Sequence, residues 1–436
     1  MTTTPSLQAY TECLERMPGR SWSGRVEEVL ESVVASRGPL SSVGEECTIE
    51  ASGGRELRGE IIGFRGPLVL SMPLLSASGV RYGDKVTTCG TRPSVAVSGS
   101  LLGRVVDADG TEIDGGTPID SEDRVPLQGR TPRALARTPI REPIGCGVRA
   151  IDAFLTCGRG QRMGIFGGSG VGKTTLIGMM ARGTAADLTV LALVGERGRE
   201  VGEFLETLGP EGRARSVVVV STSDESPLMR VRAAHTATAI AEWFASQGKH
   251  VLLVVDSLTR FAMAQREVGL AAKEPPTTKG YTPSVFSRLA QLVERAGQFP
   301  TGGITAFYTV LMEGDDQQDP IVDAVRSLLD GHIMLDRQLA AANHYPPISL
   351  RDSLSRLMPA VCSPEHLGKA GKLRSLLALY EKCEDLLRVG AYQAGSDPQL
   401  DRAIAMIPII QQFTRQEQDE RFDLAATVAA LLELPQ

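Results

Sequence analysis

The run Gly167-Gly-Ser-Gly-Val-Gly-Lys-Thr174 matches G-x-x-x-x-G-K-[ST], a spacing suited to holding phosphate. Its glycines, Gly167, Gly168, Gly170 and Gly172, let the backbone wrap closely, so that N–H groups from Gly167 through Ser169 and Val171 face phosphate oxygens. Lys173 brings a full positive charge to the terminal phosphates, and the Thr174 hydroxyl suits Mg²⁺. Thr175 continues the start of the helix whose N-terminus adds positive potential. A glycine-rich turn could match by chance, but this one has an apolar strand before it and a helical stretch after it.

Two acids belong to the same chemistry. Val251-Leu-Leu-Val-Val-Asp256 is an apolar run ending in a carboxylate, which suits orientation of Mg²⁺ through its water shell. Many buried strands end in Asp, so Asp256 gains meaning only from the phosphate loop upstream. Gly195-Glu-Arg-Gly-Arg-Glu200 follows another apolar run, which puts Glu196 at the carboxyl edge of a sheet, where ligands bind in open α/β folds. A carboxylate there can polarise an attacking water. On local sequence alone, a solvated charged loop explains the segment equally well.

These residues require a sheet to position them. Between about Ser98 and Pro364, apolar runs alternate with helical patterns, the signature of an α/β fold with a parallel sheet. The predicted strands are Met163–Phe166, Thr189–Val194, Val217–Val220, Val251–Val255 and Ile304–Tyr308. Before this stretch, short β-like runs at 47–50, 57–62, 68–71 and 85–88 are punctuated by glycine and proline and predict a small barrel or sandwich. After it, Leu373, Leu376, Tyr380, Cys383 and Leu387 recur at helical spacing, and Ser396-Asp-Pro398 reads as a helix start. The expected order is therefore an N-terminal helix (1–23), a β-barrel (24–95), a P-loop domain (96–366) and a C-terminal helical domain (367–436). Leu7, Tyr10, Leu14 and Met17 form one apolar stripe, which fits either a plain surface helix or a docking face for a partner.

Composition narrows the function classes. A formal charge of −6 gives no support for a chain-wide nucleic-acid surface, and the barrel region has few aromatics for stacking on RNA. Seven scattered cysteines without a C-x-x-C pair argue against a disulfide framework or zinc site and fit a reducing cytoplasm. There is no secretory signal pattern and no apolar run of membrane-spanning length, so any membrane contact is expected to be peripheral.

Taken together, the P-loop, Gly195–Glu200, Asp256-Ser-Leu-Thr-Arg260 and Leu354-Ser-Arg-Leu-Met358 resemble the catalytic subunits of rotary ATPases and their export relatives. The chain is most similar to the flagellar and type III secretion ATPases, through Thr156–Arg162, Ala264–Glu267, Gly280–Phe286, Leu292–Gly297, Tyr308–Asp316, Leu329–His332 and Gly390–Pro398. Ala262–Glu267 and Pro275–Gly280 favour flagellar over virulence export. The resemblance implies a RecA-like core, ATP and Mg²⁺ as ligands, and a homo-hexameric ring. Glu196 matches the catalytic carboxylate, Arg197 and Arg260 match arginines lining the phosphates, and Tyr345 matches an aromatic stacking on adenine. Arg356 matches an arginine finger reaching the next subunit, although a surface arginine at an element end would have the same spacing. Thr309 resembles a sensor position or is simply a strand-end threonine.

The family further implies a stator-like regulatory protein at the N-terminal helix, export-gate and stalk proteins, and chaperone–substrate complexes as partners. Its setting is the cytoplasm, peripherally at the inner face of the cell membrane. Gly168 and Thr174 stand where Ala and Ser are usual, and Thr282 where proline is usual. A rotary ATP synthase catalytic subunit shares the chemistry, but the chain has no D-E-L-S-E-E-D-like loop near its C-terminus. An RNA-translocating hexamer would need aromatic and basic residues that the barrel lacks. A non-catalytic nucleotide-binding subunit would typically lack Glu196.

Overall fold

A computed structural model describes residues 21–435, apart from 31, 120, 130 and 313–318. The stripe expected over residues 6–19, and the end of the Tyr308–Asp316 motif, lie outside the described residues.

The chain forms two compact units. One comprises the described residues up to Ser94 together with Asp224–Met229 and Ala264–Ser284. Its centre is a closed barrel of six antiparallel strands, Trp22–Leu30, Val33–Arg37, Glu46–Ala51, Arg55–Arg65, Leu68–Pro73 and Lys85–Thr88. Pairing of Trp22 with Thr88 brings the first strand against the last and so removes both sheet edges. Alternation sends Val26, Val34, Ile49, Leu57, Ile61, Val69 and Val86 into one shared core. The segment 264–284, which the sequence assigns to the P-loop domain, packs in this unit: Gly63 lies against Ala272. Thr282 is buried beside Gly269, where a Cβ would meet its Oγ1 at 2.3 Å.

The other unit holds the large sheet. Its strands run in the order Ile348–Ser355, Gly331–Leu335, Arg162–Gly167, Gly303–Leu311, His250–Asp256, Leu188–Glu196, Ser216–Thr222 and Val105–Asp107. All neighbours are parallel except Ile348–Ser355, which runs antiparallel at the edge. Helices cover the sheet, so its strands bury nearly every residue: Leu188–Glu196 is buried from Leu188 through Gly195. The carboxyl ends of the parallel strands then present Gly167, Glu196 and Asp256 along one edge of the sheet.

Three helices follow in the same unit, Pro364–Arg388, Pro398–Thr414 and Leu424–Glu433. Ser363, Asp397 and Asp423 cap them by accepting backbone N–H bonds, and proline occupies the first turn of the first two. The cap at the second helix is Asp397, with Pro398 at its first position, as Ser396-Asp-Pro398 suggests. Met406, Ile410 and Phe413 join the core beneath the sheet, while Leu386 and Val389 stand exposed where the first helix ends.

Candidate nucleotide site

The P-loop leaves the strand Arg162–Gly167 and enters the helix Lys173–Gly183. Gly172 caps that helix at φ +97, a left-handed conformation that a side chain would strain. No side chain caps the helix and no acid lies in its first turn, so its N-terminal N–H groups remain available to an anion. Gly168 has a further role, because the Arg337 guanidinium lies 2.3 Å from where a Cβ would stand. Alanine at this position would displace that side chain.

Lys173 is only 8 % exposed, and its Nζ has no hydrogen-bond partner. Burial depresses the proton affinity of this ammonium, while Asp256 and Glu196 raise it. A buried, unpartnered cation at a helix N-terminus is a site shaped for a polyanion. Thr174 is exposed beside it, with its hydroxyl open to a ligand.

Asp256 is buried at its strand end and accepts a 2.5 Å hydrogen bond from Thr309 Oγ1. Thr309 therefore fixes the carboxylate from the neighbouring strand. Among the described residues, no group of three His, Cys, Asp or Glu side chains could hold a metal alone. A hydroxyl and one carboxylate fit Mg²⁺, which keeps waters and takes further oxygens from bound phosphates.

Glu196 owes its position to a bulge. Gly195, at φ +67, interrupts the register between Val194 and Glu196 in a left-handed conformation that a side chain would strain, and it lies in contact with the Arg230 and Arg260 side chains. The bulge re-aims Glu196, whose Oε2 lies 3.0 Å from Arg260 Nη2. Arg260 also donates to the Gly195 carbonyl, tying both sides of the bulge to one guanidinium. Burial, the Glu200 carboxyl and then Asp256 push the Glu196 proton affinity up to about 8, against the opposing pull of Arg260. Glu200 moves the other way, held low first by its hydrogen bond with Glu196. The shifts are opposite because each carboxyl is hydrogen-bonded to the other. Arg197 is largely exposed, 3.7 Å from Glu200 Oε1.

Tyr345 is half-exposed beside Gly172, with its ring 3.8 Å from where a Cβ on Gly172 would stand. It lines a cavity of about 340 Å³ with Gly172, Thr175, Met179 and residues 416–419. Gln416 donates its backbone N–H to the Tyr345 carbonyl (2.9 Å) and its side-chain amide to the Gly147 carbonyl (2.8 Å). Sequence reasoning missed the 416–419 wall, and nothing local marks it.

Arg356 is not with the others. It follows the antiparallel edge strand, where Ser355 pairs with Gly331 and so stands level with Met163. Met163 lies four residues before Gly167, about 13 Å back along the strand at roughly 3.3 Å per residue. Arg356 is exposed at the edge of the sheet opposite its own P-loop.

Comparison with known proteins agrees with this architecture. The profile for the ATP synthase alpha/beta family nucleotide-binding domain matches residues 147–355, and that for the family's beta-barrel domain matches residues 28–90. A third, the T3SS EscN ATPase C-terminal domain, matches residues 362–433. The flagellum-specific ATP synthase of Bacillus subtilis (strain 168) is 49 % identical over 430 residues, covering 98 % of both chains. The chain belongs to the flagellar and type III secretion ATPases. The type 3 secretion system ATPase of Xanthomonas euvesicatoria is 48 % identical over 399 residues, covering 91 % of this chain and 90 % of that one. In structure, the assembled ATPase EscN from the enteropathogenic E. coli type III secretion system superposes with a TM-score of 0.90 at 44 % identity, covering 94 % of this chain and 99 % of that chain. EscN is also known in complex with its central stalk EscO. Among the described residues, no helix of this family member is long and apolar enough to cross a membrane.

Proposed function

We propose that the chain is a Mg²⁺-dependent ATPase serving protein export through a flagellar-type apparatus, working as a six-membered ring with ATP sites between subunits. The buried, unpartnered Lys173 ammonium beside the re-aimed Glu196 is the observation that carries this reading. In it, the P-loop N–H groups and Lys173 hold the phosphates, Thr174 and Asp256 hold the metal, and Tyr345 stacks on the base. When bound, Mg²⁺ neutralises phosphate charge. Glu196 accepts the proton of the attacking water, and Arg260 and Glu200 orient that carboxylate. Arg197 lies at the rim to meet phosphate charge. Arg356 stabilises the transferring group in the next subunit's site.

Similarity to flagellum-specific ATP synthases supports flagellar over virulence export. The partners that follow are a stalk, an export gate, chaperone–substrate complexes and a stator-like protein at residues 1–23, with no nucleic acid. The site of action is the cytoplasm, at the inner face of the membrane. Deleting the native gene should abolish flagellar filaments, and an intact copy should restore them. Normal filaments in the deletion strain would point to a virulence apparatus instead.

Glu196→Gln tests the chemistry. Glutamine keeps the shape but cannot accept a proton, so ATP should bind while turnover falls about 10²-fold or more. Loss of ATP affinity with turnover preserved would make Glu196 a binding residue. The pH profile is a separate check. A base must be ionised, and Glu196 holds its proton up to about pH 8 in the free protein. The kcat/KM should therefore rise with pH through that region, and Glu200→Gln, which removes a neighbouring negative charge, should shift the acid limb lower.

A further inference from the structure

We propose that Asp330 is a positioning residue for Arg356, and that a clamp of Asp330, Arg162, Gln161 and Ser355 aims this arginine at the neighbouring subunit's nucleotide. The inference rests on the shared-site reading above. Arg356 lies just past the end of an edge strand, where a backbone ordinarily frays, and its side chain is exposed. Its aim therefore depends on how firmly residues 355 and 356 are held.

They are held from two sides. The Arg356 backbone N–H donates to the Asp330 carbonyl at 2.9 Å. The Gln161 amide donates to that same carbonyl and to Ser355 Oγ, both at 3.1 Å. Ser355 Oγ in turn donates to the Thr156 carbonyl at 2.9 Å. Gln161 and Ser355 are both buried, so water does not compete for these bonds.

Asp330 is itself anchored. Its carboxylate accepts from the Arg162 backbone N–H (3.0 Å), Nε (3.1 Å) and Nη2 (3.2 Å). Arg162 Nη1 reaches Glu294 Oε1 at 2.6 Å, and Arg137 grips the same glutamate. Burial opposes the Arg162 charge, but the Asp330 and Glu294 carboxylates overcome it and keep the guanidinium cationic. The finger is thus tied to the start of the strand that ends in its own subunit's P-loop. The Arg162–Asp330 pair is largely buried, with side chains 16 % and 25 % exposed, so losing the Asp330 charge costs stability as well as position. A displacement of about 1 Å in a group acting on the transition state can slow a reaction about 10²-fold. Through that displacement Asp330 acts on rate at the neighbour's site, beside its part in holding its own fold.

The test exploits that displacement between subunits. Asp330→Asn should lower kcat about 10- to 100-fold with KM for ATP unchanged. Mixed with Lys173→Ala chains, which carry an intact clamp and finger but a dead P-loop, it should regain activity, because its own P-loop then meets a well-aimed arginine. Ser355→Ala, a smaller change that keeps every charge, should give the same rescue from a milder defect, and it stands in if Asp330→Asn does not fold. The control mixes Arg356→Ala with Lys173→Ala. Rescue in the control but not with either clamp variant, or clamp variants with unaltered kcat, would overturn the proposal and leave the finger intact. Failure of the control, with subunit exchange demonstrated, would instead overturn the shared site and the clamp's purpose with it.

Discussion

Arg356→Ala should bind ATP with normal affinity and hydrolyse it about 10³–10⁵-fold more slowly, the range an arginine supplied in trans is worth. The effect is large because charge builds on the transferring phosphoryl group only in the transition state. The arginine lies at the sheet edge opposite its own P-loop, so removing it leaves every contact to its own subunit's nucleotide in place. Equilibrium binding of a fluorescent ATP analogue beside steady-state turnover separates the two effects. Turnover within tenfold of the wild type would show that the site needs no such arginine.

Lys173→Ala should abolish hydrolysis and strongly weaken nucleotide binding. Its effect on stability should have the opposite sign. The ammonium is buried without a partner, and its proton affinity is lowered by that burial, so the charged form opposes folding at neutral pH. Removing it should leave the nucleotide-free protein as stable as the wild type or more so. A thermal melt with and without ATP and Mg²⁺ reads both consequences. The wild type should gain stability from ligand by mass action, and the variant should not. A variant that melts lower without nucleotide and still responds to ATP would contradict the phosphate-site reading.

What the sequence made legible was local. The P-loop, Asp256 and the five apolar runs of the sheet each carry their signal within a few residues, and the structure contains a strand at every one of those runs. The first two barrel strands were not evident: Trp22–Leu30 buries only Val26 and offers no apolar alternation, and Val33–Arg37 is short and buried at four successive positions rather than alternating. Glu196 was legible as an acid after a strand, but the bulge at Gly195 that re-aims it was not. The wall formed by residues 416–419 lies far along the chain from Gly172, and only folding joins them. The contacts of Asp330 with Arg162 and Arg356 were equally hidden, since they depend on the register of the parallel and antiparallel strands on either side of Gly331–Leu335.

If each ATP site is completed by a neighbouring subunit, two inactive chains should restore each other's activity. Arg356→Ala and Lys173→Ala proteins are mixed under conditions where subunit exchange is verified, and ATP hydrolysis is followed as a function of mixing ratio and total protein. The mixture should show activity that neither chain has alone, greatest near equal proportions and rising with concentration as rings form. A mixture no more active than its components, despite exchange, would contradict the shared site.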